Sequence, residues 1–236
     1  MNLLIPLGLL FSGLLLSTNQ KKGSSRMLSD VQISKIKLYI QSLYPKTNFA
    51  KWNVVGIRGG KITDSKIQVI PNIRNQFNDL IILIKDSKAI SFPGNLEPGN
   101  PSMIKPMVSE GTFQLSNGQY KLTRTTHGRN VVRVGKTVKI RENAFNLSNA
   151  AGQRDKNRDG NFDSKDPIVN LDYRHGINLH AINRKNPQTV DQASYGCVNI
   201  QSYWEDPLWI EFRDTLNNDR STNWDFTVID SKSIAI

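Results

Sequence analysis

Short runs rich in β-branched and aromatic residues follow one another along most of the chain, divided by glycine- and proline-containing turns such as 59–60 and 93–94. Such runs between turn signals predict strands, because β-branched side chains pack well on a pleated surface. The predicted strands cover 53–57, 66–70, 80–84, 89–92, 118–123, 130–138, 178–182, 198–200 and 225–229. We therefore expect a mostly β fold.

Two segments show helical spacing instead. Apolar residues between Val31 and Leu43 recur at helical intervals, with Ser29 available to cap the first turn and Pro45 beyond the end. A second helix is predicted over 202–216, where aromatic and aliphatic residues recur three and four positions apart. With two helices among the predicted strands, the expected fold is still mostly β.

The chain divides into three expected regions. The apolar run 3–16 predicts a signal peptide or membrane anchor over residues 1–20. Residues 21–74 are expected to be a tether and a helical N-terminal extension, and residues 75–236 a β domain. No Lys or Arg precedes the apolar run, whereas cationic residues follow it, so an uncleaved helix would leave the body in the cytoplasm. Small residues are poorly placed for cleavage, and the alternative is a buried N-terminal helix.

Charge and cysteine content narrow the classes of partner. The formal net charge of +11 favours anionic partners such as nucleic acid, acidic lipid or the acidic groups of a bacterial wall. The basic residues are scattered and no nucleic-acid-binding module is recognisable, so nucleic acid is not expected as a partner. The single cysteine excludes a disulfide within the chain.

Chemistry-bearing residues gather in two neighbouring predicted strands. A thiolate nucleophile needs a base within hydrogen-bond reach and donors for an oxyanion. Cys197 follows Gly196, which lacks a side chain and would free backbone N–H groups, while Ser194 could add a hydroxyl donor. If the strands are neighbours, His180 can approach Cys197 and lower the thiol pKa by forming an imidazolium–thiolate pair. The alternative is a buried, unreactive cysteine with a structural histidine.

The order of these residues resembles a known family. His180 is followed fourteen positions later by Ser194, then by Gly196, Cys197 and Asn199. This pattern is similar to the signature of the L,D-transpeptidase catalytic-domain family (the YkuD type). Residues 92–99 also resemble an upstream turn common in phage-associated members, and the resemblance covers about 75–230.

The resemblance implies a β-sandwich-like catalytic domain in the bacterial cell envelope, in the periplasm or on the outer face of the membrane. Cys197 would attack a carbonyl of a peptidoglycan stem peptide, His180 would be the general base, and no cofactor would be needed for catalysis. Tyr195 replaces a second His and Asn199 replaces an Arg of many members, and both are predicted to contact substrate. His127, in a predicted turn, is a third candidate for substrate binding, whereas His175 is expected to be structural or to line the rim. Whether the acceptor is an amine or water stays open.

A second motif has the spacing of a twelve-residue calcium loop over 155–166, with Gly160 at the sixth position. The predicted ligands of a structural calcium ion are Asp155, Asn157, Asp159, Asn161 and Asp166. An ordinary polar surface turn would have the same residue types. This loop adds a functional alternative, a calcium-stabilised structural domain. A non-catalytic wall-binding module is a second alternative to the enzyme.

Overall fold

The computed structural model describes residues 26–234. The predicted signal peptide or anchor at 1–20, and the first residues of the tether, lie outside this range. Within the described residues, no helix is both long and apolar enough to cross a membrane.

Eight strands close into a barrel, in which each strand is hydrogen-bonded to two neighbours. The barrel strands are β1 (Asn53–Arg58), β4 (Asp79–Lys85), β5 (Lys88–Asn95), β7 (Gly118–Arg133), β8 (Lys136–Ser148), β11 (Asn178–Ile182), β12 (Val198–Tyr203) and β13 (Asn223–Asp230). Their order around the barrel is β1-β13-β7-β8-β11-β12-β5-β4. Strands make up 44% and helices 19% of the structure, which confirms the mostly β prediction. The eight strands form a closed barrel, and the β-sandwich-like catalytic domain that the resemblance implies stays a prediction.

Smaller elements surround the barrel. Two strands form a separate hairpin, β2 (Gly60–Thr63) and β3 (Lys66–Val69), and three form a small sheet, β6 (Phe113–Leu115), β9 (Ala150–Arg154) and β10 (Ile168–Leu171). The helices are α1 (Asp30–Leu43), α2 (Asn100–Ile104) and α3 (Pro207–Asn217), and three short 3₁₀ turns lie at Tyr173–His175, Asp191–Ala193 and Ser231–Ser233.

Strands β1 and β4 carry apolar side chains on both faces, and both strands are buried along almost their whole length. One face packs with α3 in a core rich in aromatic rings, where Phe212 meets Phe92 edge-on at 5.3 Å. The other face of β1 and β4 packs against Ile36 and Ile40 of α1. Burial on two sides favours continuous apolar runs over alternating ones.

Strand β1 is part of the barrel, whereas the predicted boundary at residue 75 places it in the N-terminal extension. β1 pairs in parallel with β13 and antiparallel with β4, so it is bonded along both edges. The predicted helix over 29–43 is present as α1, and the Ser29 hydroxyl accepts a hydrogen bond from Gln32 N at 3.3 Å. Residues 53–74 therefore belong structurally with the β region that follows them.

Candidate active site

The site forms where β11 and β12 lie side by side. The two strands are parallel, with Leu179 opposite Val198 and His180 opposite Asn199. Because opposite residues in a sheet share a face, His180 and Asn199 lie next to each other, and Cys197 precedes the first residue of β12. The two predicted strands are thus neighbours, as the nucleophile hypothesis requires.

Cys197 is half-buried in the wall of a cavity of about 190 Å³, which we call the Cys197 cavity. Its Sγ donates to the backbone oxygen of Gly176 at 3.7 Å, and the backbone N–H of Asn178 faces the sulfur. The lining includes His127, His175, Arg154 and Tyr195 among others. A substrate carbonyl therefore has space to approach the sulfur.

The turn before Cys197 is held by its own hydrogen bonds. Ser194 is fully buried, donates through Oγ to the backbone oxygen of Cys197 at 2.6 Å, and accepts from Gly196 N at 3.2 Å. The predicted oxyanion donors are the Ser194 hydroxyl and backbone N–H groups around residues 195–197. Of these, the Ser194 hydroxyl and the Gly196 N–H are engaged within the turn. These hydrogen bonds fix the turn before Cys197, and neither group has a donor free to face the cavity.

Residues at the start of α2 also support this turn. Gly99 N donates to the Ser194 backbone oxygen at 3.0 Å, and Ser102 Oγ donates to the same oxygen at 2.6 Å. Gly99 lies so close to Asp191 that an added Cβ would fall 1.8 Å from its backbone oxygen. Gly99, the last residue of the segment 92–99, therefore contacts the turn before Cys197 and leaves no space there for a side chain.

Gly196 should resist substitution by alanine. Its φ is +130° and an added Cβ would lie 2.9 Å from the backbone oxygen of Phe113, so both strain and collision oppose a side chain. We expect Gly196→Ala to lower the free energy of unfolding by about 4 kcal/mol, measured by urea unfolding. Gly135→Ala is the matched control, because Gly135 has φ +73° and open space around it, and about 1 kcal/mol is expected there. Equal losses at the two positions would contradict this account.

His180 is a buried, neutral imidazole. Its Nδ1 lies 2.6 Å from the backbone oxygen of Ala181, which can only accept, so Nδ1 carries the proton and Nε2 is left as the acceptor. The amide nitrogen of Asn199 lies 3.3 Å from that Nε2. Burial, and to a smaller extent the neighbouring His127, lower the pKa of His180 to about 3. Asn199 is fully buried, and it lines neither the Cys197 cavity nor the larger cleft that adjoins this cavity. It therefore contacts the imidazole of His180 and does not face the predicted substrate position.

His127 lines the same cavity as Cys197 and also contacts His180. It lies on β7, not in the predicted turn, and its ring stacks on His180 with 4.1 Å between centroids. Asn178 Nδ2 lies 3.3 Å from His127 Nδ1 and donates to it, because the Asn178 Oδ1 accepts from Asn146 at 3.0 Å. Burial and the charge of nearby Lys139 lower the pKa of His127. The stacked ring of His180 and the amide of Asn178 therefore hold the His127 ring in one orientation.

A larger cleft of about 730 Å³, which we call the central cleft, adjoins the Cys197 cavity. Four residues line both spaces: Met107, His127, Gln192 and Ala193. His180 and Trp204 line the central cleft, and their rings stack with 5.8 Å between centroids. The thiol and the buried imidazole thus open onto two connected spaces with His127 between them.

The charged pair expected from the sequence is absent in this structure. Burial raises the pKa of Cys197 to about 11, although the N–H of Asn178 opposes this, and His180 is neutral as well. Within residues 26–234, Cys197 Sγ has no hydrogen bond to an imidazole. Burial disfavours both charged forms, so thiol and imidazole stay neutral. The structure therefore has a neutral thiol and a neutral imidazole, and not a preformed thiolate–imidazolium pair.

This protonation state predicts the pH dependence of thiol alkylation. With a pKa of about 11 for Cys197, the thiolate fraction should rise roughly tenfold per pH unit between pH 7 and pH 9. The rate of carbamidomethylation by iodoacetamide, read by intact mass, should follow it. A cysteine peptide with an ordinary pKa of about 8.5 is the control and should level off above that pH. A rate that is already high and constant from pH 6 to pH 8 would show a preformed thiolate instead.

The remaining candidates lie at the rim. His175 is exposed and bonded through Nδ1 to Asp172 at 3.0 Å, and Tyr195 lines the Cys197 cavity while half-buried. Arg154, which the sequence did not single out, also lines this cavity and is held by Gly111 O at 2.7 Å. Arg154 is 43 residues from Cys197 and comes from another sheet, so no local motif could have indicated it.

The predicted calcium loop is a compact turn with internal hydrogen bonds. Asp155 and Asp166 are buried, and each carboxylate accepts two backbone N–H groups from the loop, at 3.1 and 3.2 Å in both cases. Asn157, Asp159 and Asn161 are exposed. Among residues 26–234, no three His, Cys, Asp or Glu side chains are grouped so as to hold a metal ion. Calcium binding at this loop stays a prediction.

Taken together, the geometry provides a thiol, two stacked imidazoles and a cleft that reaches the sulfur. Such a set can support nucleophilic attack on a carbonyl, with an imidazole as the proton acceptor. No protein-family model, curated protein or solved structure matches the chain.

Proposed function

We propose that the chain is a cysteine acyl transferase or peptidase that acts on peptidoglycan stem peptides in the bacterial cell envelope. One observation carries the proposal: Cys197 lines the same cavity as His127, which stacks on His180 at 4.1 Å. The resemblance to the L,D-transpeptidase family supplies the substrate class. A bacterial wall offers carboxylates, which suit a chain of net charge +11.

The proposed reaction has two halves. The sulfur of Cys197 attacks a stem-peptide carbonyl while His180 accepts the thiol proton, and the amine of the scissile bond leaves with a proton from the imidazole. A thioester to Cys197 remains. An acceptor amine or a water molecule then attacks the thioester carbonyl and gives its proton to the imidazole. The C–S bond breaks, and the imidazolium returns the proton to the sulfur, which regenerates the thiol and the neutral imidazole. An amine acceptor gives a cross-link, and water gives hydrolysis.

The second candidate is a wall-binding module that retains the fold without chemistry. Binding alone needs neither a half-exposed thiol beside a cavity nor a buried imidazole with a lowered pKa. Perturbed groups of this kind gather at reactive sites more often than at passive ones. These two observations favour the enzyme.

The test is an analysis of muropeptides. The full-length chain, kept in mild detergent, is incubated with purified peptidoglycan of several stem-peptide types, and the products are identified by mass. We expect new cross-linked or shortened muropeptides with the folded protein and none with the heat-unfolded protein. Unchanged muropeptides from all wall types, with folded protein present throughout, would contradict the proposal.

A further inference from the structure

A third space extends the cleft away from Cys197. The central cleft continues into a groove of about 450 Å³, which we call the distal groove. The two share Arg129, Asn130, Asn183 and Arg184 in their linings. The Cys197 cavity, the central cleft and the distal groove therefore form one continuous path along the β7–β8 hairpin.

The outer part of this hairpin carries charge of one sign only. Residues 128–141 contain five cationic side chains and no acidic one: Arg129, Arg133, Lys136, Lys139 and Arg141. The loop on the other side of the distal groove adds Arg184 and Lys185, and the groove has a single carboxylate in its lining, Glu205. The distal groove is therefore strongly basic.

Two of the four cationic side chains that line the distal groove form salt bridges with carboxylates, and within the described part of the chain the other two do not. Arg129 is buried and bonded to Glu142, Glu205 and the Tyr203 hydroxyl, so it fixes the base of the hairpin. Arg184 pairs with Asp191 at 2.8 Å. By contrast, Arg133 and Lys185 are exposed and form no salt bridge within residues 26–234. The Lys185 ammonium lies 5.9 Å from the centroid of the Tyr203 ring, and Arg133 extends beside it in the lining of the groove. Both side chains are exposed to solvent, where an anion can reach them.

The path has the length of a polymer segment. His127 and Arg133 lie six positions apart on one strand, so the hairpin carries the path roughly 20 Å from the imidazoles to the basic end. A peptide of fewer than about six residues bound at Cys197 would not reach that far, whereas an extended polymer with repeated acidic groups would.

We propose that the distal groove binds anionic groups of an extended wall polymer whose reacting carbonyl lies at Cys197, with Arg133 and Lys185 as the contacts. The carboxylates carried by neighbouring stem peptides of a peptidoglycan strand are the favoured source, because the same polymer presents the carbonyl. Phosphodiesters of a wall-attached polymer share this chemistry. The inference rests on the proposed function for its choice of polymer, but its test needs no turnover.

Binding to insoluble peptidoglycan tests the proposal. All proteins are full-length and carry Cys197→Ala, so that no wall is consumed. Arg133→Gln with Lys185→Gln removes the two cations of the groove that form no salt bridge with a described residue, and Lys61→Gln with Lys66→Gln makes the same charge change at exposed positions on β2 and β3. Affinity is measured by co-sedimentation over a range of salt concentrations. We expect the groove variant to bind about two- to thirtyfold more weakly at low salt, and the difference to shrink as salt rises.

The control variant should keep its affinity within about twofold of the parent. Wall treated to remove phosphodiester polymers separates the two sources: a groove effect that persists indicates carboxylates, and one that vanishes indicates phosphates. Either result supports an anionic polymer in the groove. Equal affinities for the groove variant and the parent, or equal losses in the groove and control variants, would overturn the proposal. Failure of the muropeptide test would leave this binding result unaffected.

Discussion

Replacing Cys197 with alanine is expected to abolish turnover of peptidoglycan, with kcat lowered by roughly 10⁴-fold or more, because no other group can form the thioester. The side chain is half-buried at a cavity wall, so its loss should change the melting temperature little. Release of muropeptides over time, with protein concentration matched by absorbance, measures the effect.

Cys197→Ser is the companion variant. A serine hydroxyl fits the space and keeps a donor for the Gly176 oxygen, but it is a far weaker nucleophile at neutral pH. We expect it to bind the wall like the parent protein and to turn over almost as slowly as the alanine variant. Alanine and serine variants that retain the parent rate would show that Cys197 takes no part in the reaction.

Replacing His180 with glutamine is expected to lower kcat by about 10²- to 10⁴-fold, the usual contribution of a positioned base. Glutamine keeps much of the volume that packs against Trp204 and His127, so folding is preserved better than with alanine, and thermal melting checks this. His127→Gln is the matched comparison, and its expected loss is smaller, about tenfold, because His127 supports the ring that accepts the proton. A larger loss at His127 than at His180 would assign the base to His127.

The pH profile gives a second readout for His180. With its pKa lowered to about 3, the neutral base form is present at all higher pH values, so kcat/KM should hold its value down to about pH 5. An imidazole with an ordinary pKa of about 6.5 would be mostly protonated there, and the rate would fall more than tenfold. A sharp fall between pH 7 and pH 5 would contradict the buried neutral imidazole.

Much of the barrel could be predicted from local signals, and the exceptions have physical reasons. The strand predicted over 178–182 is present as β11 with the same bounds, as one of a series of short runs between turn signals. The strand predicted over 130–138 instead spans a hairpin turn at Val134 and Gly135, which have φ +48° and +73°. A β-branched residue at positive φ gives no turn signal. The second half of β8 was missed because charged residues interrupt its apolar pattern.

The site was only partly predictable. The sequence singled out His180 and Cys197 but left open whether their strands are neighbours, and the structure pairs those strands in parallel. The stacking of His127 on His180 depends on β8 lying between β7 and β11 in the barrel, which no local pattern records. Trp204 was placed in a predicted helix, but it lies in the turn after β12, beside the imidazole. The pKa shifts depend on burial and could not be read from residue types.

The most direct test of the nucleophile is to detect the thioester itself. Full-length protein is mixed with a purified stem-peptide substrate, quenched in acid within the first turnovers, and examined by intact mass and peptide mapping. The account predicts a mass increase equal to the acyl part of the substrate, located on Cys197, released by hydroxylamine, and absent from Cys197→Ala. Turnover without an adduct on Cys197, or an equal adduct on the alanine variant, would contradict the account.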